Sequence, residues 1–168
     1  LRTWPEGGPK LAWKQTIARG WSAATVAGGS VYLCGGIPDG TMWCFSLDGE
    51  LRWLTSYAPE GKKSGGQPRA TPVAAGGRLF YSSMAGVLLC MDASDGRILW
   101  KTDLGPLGGK VESASPLLCG DLIVVSVCSR SDEVPSFLAF HRKDGSLAWK
   151  GNLGPCPEVG KGWSCFHS

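Results

Sequence analysis

Four segments of this 168-residue chain end in the same way: Lys10-Leu-Ala-Trp13-Lys14, Glu50-Leu-Arg-Trp53, Arg97-Ile-Leu-Trp100-Lys101 and Ser146-Leu-Ala-Trp149-Lys150. The four tryptophans recur 40, 47 and 49 residues apart. Such a period belongs to chains that stack copies of one small unit, not to chains that wrap one irregular core. Three of the four are preceded by Asp48-Gly49, Asp95-Gly96 or Asp144-Gly145, each following an apolar or alternating run. Asp-Gly supplies the two φ > 0 positions of a type I′ turn, so each copy is expected to contain a strand, a tight turn and a strand bearing the tryptophan.

A second half-repeat precedes each of these hairpins: Ser22-Ala-Ala-Thr-Val-Ala-Gly28-Gly29, Ala70-Thr-Pro-Val-Ala-Ala-Gly76-Gly77 and Ala114-Ser-Pro-Leu-Leu-Cys-Gly120-Asp121, each running on into β-branched or aromatic residues. Two hairpins per period make a four-stranded antiparallel meander. The composition agrees, because 25 Gly and 11 Pro in a chain that is 43% hydrophobic punctuate short apolar runs and leave no room for long helices.

The expected fold is therefore all-β: a partial β-propeller of about three four-stranded antiparallel blades with the ring incomplete. Blade one spans 17–56, with strands at 22–27, 30–35, 42–47 and 51–55. Blade two spans 68–102, with strands at 71–75, 78–83, 87–92 and 97–101. Blade three spans 112–151, with strands at 114–118, 121–128, 136–141 and 146–150. Residues 1–16 form an N-terminal segment in which Lys10 to Thr16 reads as a lone outer strand. Gly162-Trp163-Ser164 repeats Gly20-Trp21-Ser22, so 162–168 reads as the start of a further blade.

A blade with apolar residues on both faces needs a neighbour on each. Closed propellers provide this with about four to eight blades, and three cannot close. The expected partners are the remaining blades of the same propeller or a second copy of the chain, and the two end faces are expected to expose apolar surface.

The pattern of Leu88-Leu-Cys-Met-Asp92-Ala-Ser-Asp-Gly96-Arg-Ile-Leu-Trp100-Lys resembles the tryptophan-docking repeat of pyrroloquinoline-quinone-like (PQQ-like, quinoprotein-like) β-propellers. The likeness runs from Trp4 to Trp163. The opening, from Trp4-Pro5 through Gly8-Pro9-Lys10 to Gly20-Trp21-Ser22, is similar to the start of bacterial members that are not known dehydrogenases. In such rings the first strand completes the last blade, so the resemblance implies that Lys10 to Thr16 pairs with a strand beyond residue 168 and that the missing part is C-terminal. It also implies a periplasmic or secreted location. Two places depart from the pattern: Ser46-Leu-Asp48-Gly49 is short relative to Asp92-Ala-Ser-Asp95-Gly96, and Phe140-His141-Arg142-Lys143 replaces the usual Leu-Asp-x-x, which leads us to expect looser outer turns there.

The resemblance implies two functions. A quinone-dependent dehydrogenase would need calcium-binding Glu, Asn and Asp, a catalytic Asp and often two adjacent Cys. No adjacent Cys pair exists, and Asn152 is the sole Asn. The reading favoured by the residues is a non-catalytic binding or scaffolding propeller with no cofactor, similar to the extracytoplasmic repeat proteins and to the propeller lipoprotein of outer-membrane protein assembly. PQQ and calcium belong only to the alternative, a piece of a dehydrogenase whose cofactor residues lie in other blades.

Other chemistries find little support. With only His141 and His167 and no G-x-S-x-G elbow, a hydrolase constellation is hard to assemble. Gly105-Pro-Leu-Gly-Gly109-Lys110-Val111 lacks one residue between the glycines of a phosphate loop and has Val in place of Ser or Thr. A formal charge of +3 makes no nucleic-acid stripe, and Lys62-Lys63 reads as a solvated loop. No apolar run reaches the roughly 18 to 20 residues of a transmembrane segment. None of the seven Cys (34, 44, 90, 119, 128, 156, 165) has C-x2-4-C zinc spacing. The first five lie in or beside apolar strand-like runs and read as small hydrophobes rather than disulfides.

Two groups of residues stand out. Trp13, Trp53, Trp100 and Trp149, one per blade, read as structural blade-docking residues. Trp21, Arg69, Glu112, Ser113 and Trp163 precede or adjoin the first strand of a blade, where propellers present a ring mouth to ligands and protein partners, and they form the candidate binding face.

Overall fold

The computed structural model describes residues 3–36, 40–57, 67–107, 114–127 and 135–152. These residues form three four-stranded antiparallel sheets, each a simple meander in chain order. The first holds β1 (Thr25–Ala27), β2 (Ser30–Gly35), β3 (Thr41–Ser46) and β4 (Leu51–Ser56). The second holds β5 (Val73–Ala75), β6 (Arg78–Ser83), β7 (Val87–Asp92) and β8 (Ile98–Asp103). The third holds β9 (Leu117–Cys119), β10 (Leu122–Ser126), β11 (Phe137–His141) and β12 (Leu147–Gly151). A 3-10 turn at Gly105–Leu107 is the only helical element among the described residues. The architecture is a partial propeller.

Period-2 alternation in the middle blade creates two cores at once, because neighbouring strand residues point to opposite faces. Leu79, Tyr81, Leu89 and Met91 join Tyr32, Cys34, Met42, Cys44 and Tyr57 between blades one and two. Phe80, Leu88 and Cys90 join Ile123, Val125, Leu138 and Phe140 between blades two and three. β6 and β7 are consequently buried on both faces, whereas the outer faces of blades one and three expose Leu51, Leu54, Leu117 and Trp149. Two sheets packed face to face exclude water from one side of each, and the third supplies the middle sheet with its second cover.

The turns correct one expectation. The Asp residues of the Asp-Gly sites have no positive φ, and only Gly49, Gly96 and Gly145 there are positive, at 85°, 73° and 73°. In blades two and three the glycine N–H donates to the residue four back, Asp92 or His141, which closes a four-residue loop. In blade one Gly49 donates to Ser46 three back, so that turn is one residue shorter, as its sequence implies. The type I′ pattern occurs instead at Gly28-Gly29 and Gly76-Gly77, where both central φ values are positive. Each Asp-Gly loop is followed by a register shift, at Cys44/Phe45, Cys90/Met91 and Ala139/Phe140. That bulge accompanies the shorter loop and the longer ones alike and sharpens the local twist beside each tryptophan.

Residues 10–16 form no β ladder with the described residues, and Trp13 and Gln15 attach by side chain to the blade-one turn. One further expectation is revised: the first strand of each blade is shorter than its sequence predicts, and this bears on the candidate site. Residues 162–168 lie outside the described residues.

Candidate functional site

Successive meander strands run in opposite directions, so the segments that enter β1, β5 and β9 share one end of the sheets and the Gly-Gly and Asp-Gly turns share the other. At the entry end the three blades are stitched to one another. Trp21 N–H donates to the Pro68 carbonyl at 2.7 Å. Ala23 N–H donates to Thr71 Oγ1 at 3.1 Å, and Thr71 N–H donates to Ser115 Oγ at 2.8 Å. Ala23, Thr71 and Ser115 occupy the same repeat position, so one latch is used twice: a backbone donor on one blade and a hydroxyl on the next. Thr25 Oγ1 also donates to the Pro72 carbonyl. These bonds shorten β1 and β5, because backbone groups expected to pair within a blade bond to the neighbouring blade instead. Pro72, in addition, has no N–H to give.

This stitching brings two of the predicted face residues together. Trp21 is 74% exposed, and the Pro68 carbonyl that holds its backbone adjoins the exposed Arg69. The Trp21 loop is further held by Gly36 N–H donating to the Arg19 carbonyl at 3.0 Å. At Gly20 any Cβ would lie 2.9 Å from the Cys34 carbonyl. The backbone that carries this exposed indole is thus held from two sides. Glu112, Ser113 and Trp163 lie outside the described residues, as do Lys62, Lys63 and His167. His141 is exposed at the blade-three turn.

At the opposite end the repeated tryptophans sit at the blade boundaries. Trp13 Nε1–H donates to the Leu47 carbonyl at 2.7 Å, Trp53 to Ala93 at 3.2 Å and Trp100 to Arg142 at 3.2 Å. In each case the acceptor opens the Asp-Gly loop of the next unit along the chain. The ring then lies flat against that loop's glycine: a Cβ built on Gly49, Gly96 or Gly145 would come within 2.7, 2.5 and 2.5 Å of the indole. A residue with no side chain is therefore required for a second reason besides its φ. Two residues further on, Gln15 Nε2 donates to the Gly49 carbonyl at 2.8 Å and Thr102 Oγ1 to the Gly145 carbonyl at 2.8 Å. Trp149 is 43% exposed.

A family model described as outer membrane protein assembly factor BamB matches residues 47–160. The chain belongs to this PQQ-like repeat family of β-propellers. Among solved structures, the PQQ-like chain is similar to a europium-containing methanol dehydrogenase (21% identity, TM-score 0.66, covering 83% of this chain and 26% of that one). It is similar also to a quinohemoprotein alcohol dehydrogenase from Pseudomonas putida (19%, 0.68, 89% and 23%) and to BamB from Moraxella catarrhalis (19%, 0.59, 85% and 43%). It thus spans about a quarter of the length of the dehydrogenases and less than half of that of BamB. No curated protein matches it in sequence.

Among the described residues of this PQQ-like propeller, no three His, Cys, Asp or Glu side chains converge as a metal ion would need. None of the described cysteines is in a disulfide: Cys34, Cys44 and Cys90 are buried, whereas Cys119 is exposed at the end of an edge strand. Burial pushes the Cys90 thiol up to about 11 against the pull of Arg78 and Arg142, and it raises Cys44 as well. Both are packing groups, not thiolate nucleophiles.

Sequence reasoning missed Thr71, Ser115, Gln15 and Thr102. Their signals were present, as a hydroxyl before Pro72 and Pro116 and as a polar residue two after a repeated Trp, but only the fold shows that both positions face a neighbouring blade.

Proposed function

We propose that this chain is part of a non-catalytic binding or scaffolding propeller that acts without a cofactor of its own. Trp13, Trp53, Trp100 and Trp149 dock blade onto blade, and the mouth bearing Trp21 and Arg69 contacts a protein partner. The exposed Trp21 indole on its doubly held loop carries this reading, because rigid aromatic and arginine side chains dominate protein contacts when their backbone is already ordered. The match to a family model described as an assembly factor supports a protein partner rather than a small substrate.

The test uses the full-length protein with a photo-crosslinking residue at position 21. A defined protein partner is expected to crosslink there. The Arg69→Ala variant is expected to lower the yield at least about tenfold, the effect of losing a contact of roughly 1.4 kcal/mol, with unchanged thermal unfolding. Full yield in that variant would remove the mouth from the interaction. In parallel, the protein is supplied with PQQ and calcium and assayed for dye reduction with alcohols and sugars. Turnover there would replace this reading with that of a quinoprotein dehydrogenase.

A further inference from the structure

Trp53, Trp100 and Trp149 each stand at the end of a row of residues that cross a blade in register and share one face. In blade one the row is Tyr32, Cys44 and Trp53. In blade two it is Phe80, Cys90 and Trp100. The first residue of each row backs the indole with an aromatic ring, at 6.0 Å for Tyr32 and 6.2 Å for Phe80. In blade three the row is Val124, Ala139 and Trp149, with no aromatic support.

The residue two places after the tryptophan differs in the same direction. Gln15 and Thr102 each bond the carbonyl of a turn glycine, and Thr55 Oγ1 lies 2.6 Å from where a Gly96 Cβ would stand. The blade-three counterpart is Gly151, which has no side chain to offer. The Trp149 ring has turned into the vacant space, with Cζ3 3.2 Å from the position of a Gly151 Cβ.

We infer that Trp149 and Gly151 are a reduced junction on the open face of blade three. This face receives the glycine turn of a further blade of the same ring through the indole alone, and it is the seam at which the ring opens first. The occupant follows from repetition within the chain: the three described junctions each place a loop glycine against such an indole, and the chain covers less than half of the length of the solved structures it resembles. A single bond and no aromatic backing leave this seam less firmly closed than the others, in a fold whose stability is a sum of neighbour contacts. The inference rests on the blade-docking role proposed above for the tryptophans.

Hydrogen-exchange mass spectrometry on the full-length protein reads each junction separately. Amides of Leu147–Gly151 are expected to exchange at least about fivefold faster than those of Ile98–Asp103, the ratio that one missing hydrogen bond produces. Gly151→Thr restores the hydroxyl on a strand backbone that accepts β-branched residues, and it is expected to slow the Leu147–Gly151 amides by a similar factor. Gly151→Ala adds the Cβ without the hydroxyl and is expected not to slow them. Equal protection at the two strands in the wild type, or equal slowing by Ala and Thr, overturns the seam. So does exchange at 147–151 that slows with protein concentration, because a second copy would then cover the face. If Trp100→Ala leaves exchange at Ile98–Asp103 unchanged, the docking role itself falls. If it accelerates that exchange while Gly151→Thr does nothing, only the seam falls.

Discussion

The boundary between blades one and two and that between blades two and three share one bond and differ in almost everything around it. In both, an indole N–H reaches the first carbonyl of the next blade's loop at 3.2 Å. At the first boundary that carbonyl, Ala93, also accepts the Tyr32 hydroxyl at 3.2 Å, and the core behind it holds the Tyr57–Tyr81 ring pair at 5.2 Å. At the second, the carbonyl belongs to Arg142 and also accepts Arg78 at 3.1 Å. The Arg142 guanidinium reaches back to the Gly120 and Ala75 carbonyls and lies 5.4 Å over the Phe80 ring. The repeat therefore fixes a pin, and the surroundings are free to be aromatic or cationic. Arg142 is one of the two places where the sequence departs from its family's pattern. That departure produces a cross-braced turn there, contrary to the expected loosening.

If the pin is common property, removing it should cost the same at both boundaries. Trp53→Ala and Trp100→Ala are each expected to destabilise the full-length protein by roughly 3 to 5 kcal/mol, the usual loss for a large aromatic cut from a core. Chemical denaturation monitored by circular dichroism measures both. A large loss at one site with none at the other would show that the indole is incidental at the silent boundary.

The cationic brace belongs to one boundary only. Arg142→Ala keeps the backbone carbonyl that Trp100 uses and removes the guanidinium contacts, so it is expected to cost about 1 to 2 kcal/mol, as for a few half-buried polar and cation–π contacts. The loss should appear as faster exchange in Leu122–Ser126 and Ile98–Asp103, with Thr41–Ser46 unaffected. Equal acceleration in blade one would mean that the residue acts on the fold as a whole and not on its own boundary.

Much of this was legible in the sequence. The limits of β6 and β7 were read correctly, because in the middle blade alternation, Gly-Gly turn and Asp-Gly turn all agree with burial on both faces. The first strands were read too long, since Ala23, Thr71 and Ser115 look like strand starts but spend their hydrogen bonds on the adjoining blade. The Asp-Gly turns were assigned the wrong type because a dipeptide does not reveal loop length; Asp92 to Gly96 and His141 to Gly145 close over four residues. For the candidate site, the sequence pointed to Trp21 and Arg69. That one loop's backbone holds the other's could not be read from residues 47 positions apart along the chain.

The smallest expected effect separates the loops by charge. In blades two and three, Asp92 and Asp144 each accept the hydroxyl and the backbone N–H of Ser94 or Ser146. These bonds, the hydroxyl foremost, hold both carboxyls below their ordinary range. At the position of Asp92, blade one has Ser46, whose Oγ accepts Asp48 N–H at 3.2 Å and Glu50 N–H at 3.1 Å and has no charge to lose. A carboxyl whose folded pKa is depressed stabilises the fold above its unfolded pKa of about 4, and that contribution disappears as pH falls through the folded value. An Asp92→Asn and Asp144→Asn double variant retains acceptor oxygens but cannot titrate. It is therefore expected to lose slightly less stability than the wild type between pH 5 and pH 2, read as a flatter midpoint-against-pH curve. Ser46→Ala should lower stability equally at every pH in that range; a slope change there would mean that the blade-one loop is coupled to a titrating group after all.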